Sequence, residues 1–84
     1  MPVFAVIAPI DDGRLALAVP AKFPRHFKFG PGQYVVNGVG PTAQQVATDL
    51  GANGEVGTFV VFSVAGYWGY HRSDLWEWLT LNSN

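Results

Sequence analysis

Two runs of this chain, "VFAVIA" at 3–8 and "TFVVFSVA" at 58–65, are apolar at both sets of alternating positions. A strand with one wet face alternates polar and apolar side chains, so a run that is apolar on both reads as a central strand covered on each side. In the second run Phe59 and Val61 share one face while Val60, Phe62 and Val64 share the other. Both runs are therefore expected at the centre of a sheet. A chain of 84 residues hides only about 60% of the surface its unfolded form exposes. With 49% hydrophobic and 13% charged residues it carries more apolar surface than one small core absorbs, and association is the expected outlet. There is no cysteine, so neither a disulfide framework nor a thiolate metal site is available, and stability must come from packing or a partner subunit. That points to a cytoplasmic protein. The net charge of -1 calls for neither nucleic acid nor an anionic membrane. The opening "MPVFAVIAPIDD" lacks a basic n-region and a long apolar stretch, and reads as neither signal peptide nor membrane anchor. No repeat, linker or low-complexity segment divides the chain, so residues 1–84 are expected to form one domain.

Between the two runs the pattern changes period several times. Pro9 ends the first strand. In "IDDGRLALAVPAKF" Leu15, Ala18, Val19 and Phe23 recur at helical spacing, with Asp11 or Asp12 available as a cap. Pro20 opposes a long helix there, and a "DDG" hairpin into a strand "RLALAV" competes with a short or kinked one, so residues 12–23 stay open between helix and strand. "RHFKFGPGQYVVNGV" reads as a β-hairpin around a Gly-Pro-Gly turn. "PTAQQVATDLG" is the clearest helix. Thr42 and Gln45 stand as a capping box, Ala43, Val46, Ala47 and Leu50 form one apolar face, and Gly51 marks the stop. After "GYWGYHR", Ser73 or Asp74 is placed to cap a last helix on which Leu75, Trp78 and Leu79 share a face. The resulting order is β-α-β-β-α-β-α, an α+β chain on the split βαβ or ferredoxin-like plan with a C-terminal helix added. That plan puts the first and third strands in the middle and the last at an edge. Its two crossover helices cover one face of the sheet only, which leaves the second face to the C-terminal helix, to another copy of the protein, or to both.

The strand "VFAVIAP", the hairpin ending in "QYVVNG", the helix "PTAQQVATDL" and the terminal "TFVVFSVAGYWGYHRSDLWEWL" together resemble the small ferredoxin-like proteins called SinR-like. These are similar in turn to the dimeric nuclease-like partner of the CRISPR integrase and to virulence-associated protein D. The resemblance covers most of the chain and implies dimerisation through the sheet. In the nuclease-like relatives it implies a metal-binding carboxylate at the end of the first strand, one per subunit across a two-fold axis. Here Ala8-Pro9-Ile10 occupies that place, and Asp11 and Asp12 come two or three positions later.

Three clusters are candidates for chemistry. Asp11 and Asp12 are hard oxygen donors that suit magnesium if a second subunit adds carboxylates, and otherwise serve as a turn and helix cap. Lys22, Arg25, His26 and Lys28, interleaved with Phe27 and Phe29, form a possible nucleic-acid strip in which cations meet phosphates and rings stack on bases. Strand alternation puts those rings and cations on opposite faces, and the alternative is an edge strand guarded by its charges. Tyr67, Trp68, Tyr70, His71, Arg72 and Ser73 are the most site-like group, an aromatic wall and a basic pair where a helix begins, suited to an anionic or nucleotide-like ligand. The alternative is an aromatic turn that simply packs. No Ser-His-Asp set, P-loop, metal-ligand His pair or G-x-G-x-x-G occurs, so no catalytic residue, metal or cofactor is assigned. The chain is expected to be a non-catalytic, self-associating binding module whose first partner is itself, with a nucleotide or nucleic acid as a further partner and no membrane. The alternative from another class is a metal-dependent ribonuclease or deoxyribonuclease.

Overall fold

A computed structural model of the chain describes residues 3–10, 13–37, 42–51, 56–66, 69 and 73–82. Its elements run β1 (Val3–Ile7), α1 (Arg14–Lys22), β2 (His26–Gly30), β3 (Gln33–Asn37), α2 (Ala43–Leu50), β4 (Val60–Ser63) and α3 (Ser73–Asn82). The four strands form one sheet in the order β2-β3-β1-β4, every pair antiparallel. This is an α+β arrangement with β1 and β3 in the middle.

Residues 14–22 are helical. The helix gathers Leu15, Val19 and Phe23, all buried on one face, with Ala18 packed beside them. A strand would have kept those three together but turned Ala18 to the opposite face, so Ala18 is the residue whose placement tells helix from strand. Pro20 lies inside the helix and leaves it only two more residues, and the Phe23 N–H closes it onto the Val19 carbonyl at 2.8 Å. Gly13 holds the cap position at a φ of 89°, with no side-chain bond, and Asp11 and Asp12, expected as caps, lie outside the described residues.

The hairpin turns at Pro31 and Gly32. Pro31 presets its own φ, and Gly32 takes a φ of 68°, which any side chain resists. An added Cβ there would sit 2.7 Å from the Ala8 carbonyl oxygen. That crowding follows from a bond across the sheet, the Ala8 N–H donating to the Gly32 carbonyl at 2.7 Å. In α2 the capping box is half made. Thr42 Oγ1 accepts from the Gln45 N–H at 3.1 Å, but the Gln45 side chain turns away and donates to Asp49 Oδ1 at 2.9 Å. Gly51, at a φ of 113°, stops the helix by donating to the Ala47 and Thr48 carbonyls.

The two faces of the sheet are covered unequally. On one, Phe4, Val6, Ala8, Tyr34 and Val36 meet Leu15 and Val19 of α1 and Val46 and Leu50 of α2 in the main core. On the other, Val3 and Val35 meet Leu75 and Leu79 of α3, with Phe27, Phe29, Trp76 and Trp78 packed around them. Trp78, expected on the buried side of the last helix, is only half-buried, as is Trp76, because they flank the leucine stripe rather than form it. Ser73 already belongs to the helix, so the cap of α3 falls outside the described residues.

A buried polar group ties this helix down. Asn37 Nδ2, at the end of β3, donates to the Asn82 carbonyl at 2.7 Å, satisfying a C-terminal carbonyl of α3 across 45 positions of sequence. The strand expected over 58–65 needs correction. It is confined to 60–63, and it lies at the edge beside β1, where the order of elements put the last strand and not at the centre where its double-sided pattern put it; among the described residues one flank and half of one face lack the cover that this pattern suggested.

Candidate binding surface

The uncovered region is built by alternation along β4. Phe59 and Val61 point to the α1 and α2 side and pack on the main core. Val60 and Phe62 therefore point the other way, opposite Ile7 and Ala5 of β1. Neither belongs to the cluster that α3 buries. That helix lies over the β2 side of this face, held by the Leu75 and Leu79 contacts and by Asn37, and among the residues of β4 and its flank only Val64 packs on its cluster. Phe62 is 56% exposed and Val60 46%, with Ile7 half-buried beside them. Exposed leucines and isoleucines elsewhere, such as Ile10 and Leu17, stand singly and need no special account. Val60 and Phe62 are different because they are adjacent on one flat face and continue an apolar stripe.

Along the outer flank of β4 runs an open groove of about 450 Å³ between the strand and α2, lined by Ala43, Gln44, Ala47, Thr58, Phe59 and Val61 among others. The small Ala43 and Ala47 side chains leave the room, and Gln44 and Thr58 supply polar atoms. No titratable group is among the described residues that line it.

The cation strip lies at the opposite edge. Lys22 and Arg25 are exposed, His26 is half-buried and Lys28 is exposed. The His26 ring Nδ1 donates to the Phe23 carbonyl at 2.8 Å, and Lys28 Nζ lies 5.8 Å from the centre of the Tyr34 ring. Phe27 and Phe29 point to the other face and pack under α3. The fold thus keeps the four basic residues in one run but separates them from the rings, so a strand of nucleic acid that met these cations would not stack on these phenylalanines.

Of the aromatic turn, Ser73 is described, exposed in the first turn of α3 with Asp74 beside it. Tyr67, Trp68, Tyr70, His71 and Arg72 lie outside the described residues, as do Asp11 and Asp12. Among the described residues no group of three or more His, Asp or Glu side chains gathers as a metal site, and no helix is long and apolar enough to cross a membrane.

Sequence reasoning put Val60 and Phe62 on one apolar face but did not single them out as a site, and it passed over Asn37. The first two looked like core because alternation shows that a residue has an apolar neighbourhood available, not that the neighbourhood is filled. The absence of any charged side chain from 56 to 66 was the signal that this edge is unguarded. Asn37 had no local signal at all. No family model, curated protein or solved structure matches the chain.

Proposed function

We propose that this chain is a non-catalytic, self-associating binding module on a ferredoxin-like β-α-β-β-α-β plan with an added C-terminal helix. The strand order, and α1 and α2 packed together on one face, support that plan. Kinship with the SinR-like proteins belongs to the same proposal and rests on the order of elements. A cytoplasmic location is supported by the lack of cysteine in so small a domain.

The observation that carries self-association is the pair Val60 and Phe62, large, exposed and adjacent on the half of the sheet that α3 leaves bare. Light scattering at about 10 µM, where interfaces of ordinary size are mostly assembled, should give at least twice the chain mass. A monomer mass at that concentration and at tenfold higher would sink the reading. The second part of the proposal is an anionic or nucleotide-like ligand at Tyr67, Trp68, Tyr70, His71, Arg72 and Ser73. It is supported by α3 starting at Ser73, so that the N-terminal, positive end of a helix dipole follows the basic pair directly in sequence. Asp74, in the same turn, works against it by offering a competing negative charge. Adenosine monophosphate titrated against tryptophan fluorescence should bind the unaltered chain and bind Arg72→Ala more weakly.

A further inference from the structure

Resting on the self-association reading, we infer where two copies meet: β4 of one chain pairs antiparallel with β4 of a second, about a two-fold axis at Phe62, to make one eight-stranded sheet. The inference starts from the backbone. The Val64 N–H donates to the Val3 carbonyl at 2.9 Å, and the register continues through Phe4 opposite Ser63 to Ile7 opposite Val60. In an antiparallel ladder hydrogen-bonded and non-hydrogen-bonded pairs alternate. Val60, Phe62 and Val64 therefore aim their N–H and C=O groups at β1, while Val61 and Ser63 aim theirs outward. Among the described residues no strand pairs with that outer flank.

Two donors and two acceptors at alternate positions are what an added strand requires, and β4 itself supplies the complement. With the axis at Phe62, Val61 of each copy faces Ser63 of the other and all four outward N–H groups find carbonyls. Phe62 then faces its own counterpart in a non-hydrogen-bonded pair, the closer kind, where two rings sit side by side. Val60 faces Val64.

Charge selects this edge over the other. Residues 56–66 hold no charged side chain, so pairing the two strands sets no like charges of the strands themselves against each other. At β2 the outward backbone groups belong to His26 and Lys28, which the same operation would set against each other, and a register shift between Lys28 and Gly30 breaks the ladder. A four-residue strand pair alone falls short of the about 1,200 Å² at which specific interfaces begin. The exposed faces of Val60 and Phe62 from both copies enlarge it, and micromolar affinity is the expected strength.

The test uses the absence of native cysteine. Paired positions of this kind have Cα atoms about 4.5 Å apart, inside the range a disulfide spans. Under mild oxidation at about 100 µM, Phe62→Cys should become a disulfide-linked dimer, while Leu17→Cys, on α1 and more exposed still, should not. Ser63→Pro removes an outward N–H and none that faces β1, so it should keep the circular dichroism and melting of the unaltered chain at low concentration and weaken association about tenfold. If Phe62→Cys links no better than Leu17→Cys, or Ser63→Pro associates as tightly as the unaltered chain, the edge pairing is wrong. If the unaltered chain is nonetheless a dimer by light scattering, self-association stands and only its location falls. A monomer at every concentration overturns both.

Discussion

The two edge strands, β2 and β4, each pair with a single neighbour, and each carries two large apolar side chains on the same face of the sheet, Phe27 and Phe29 on one and Val60 and Phe62 on the other. On β2 those side chains lie under α3, the opposite face carries His26 and Lys28, and the ladder is irregular toward the turn. On β4 the side chains are exposed, the strand is regular and residues 56–66 include no charged side chain. A sheet edge is a template for another strand, and proteins blunt the edges that must stay alone with charge, irregular register or cover. β2 has all three. β4 has none among the described residues, which is how an edge looks when its partner comes from outside the chain.

The comparison depends first on α3 staying over β2. Leu79→Ala, at a position 3% exposed, should cost about 2 to 5 kcal/mol and loosen that cover. Urea denaturation measures the cost, and binding of a hydrophobic dye should rise as Phe27 and Phe29 become accessible. A loss below about 1 kcal/mol would mean that α3 contributes little and that the two halves of the face are alike.

The next largest effect is expected at β4. Phe62→Glu would set two negative charges opposite each other at the proposed axis and should weaken association at least about a hundredfold by sedimentation equilibrium, with the monomer's melting little changed. An unchanged association constant would remove β4 from the interface.

Asn37→Ala sharpens the question of what positions α3. It deletes the bond to the Asn82 carbonyl and should cost about 1 to 3 kcal/mol, with amide exchange rising first at the end of that helix. Uniformly faster exchange throughout would argue that Asn37 serves the whole core and not the docking of one helix.

The smallest change in stability, about 0.5 kcal/mol, is expected from Lys28→Val, since the cation near the Tyr34 ring is exposed. Its informative readout is association. If charge guards the β2 edge, this variant and more so the double change with His26→Val should form larger species that the unaltered chain does not. No change would leave the irregular register and the cover of α3 as sufficient guards.

Local chemistry was legible wherever a few neighbouring residues decide the outcome. Thr42 caps α2, Gly51 stops it, and Pro31 and Gly32 turn the hairpin, whereas residues 12–23 stayed open between helix and strand because Leu15, Val19 and Phe23 would share a face in either. These follow from steric preference and periodicity within one or two turns of chain. The alternation of 58–65 was equally legible, and its faces came out as read. What it did not contain was the lateral position of that strand or the extent of its cover. A run apolar on both faces has the same pattern whether its second face is buried by a helix of its own chain or kept for another molecule, because burial depends on residues distant in sequence. Here α3 was drawn to the β2 side by Leu75 and Leu79 and by one amide at Asn37, and one ten-residue helix is too narrow to reach both edges of the sheet. The exposed pair on β4 is the consequence, and it exists only in the folded arrangement.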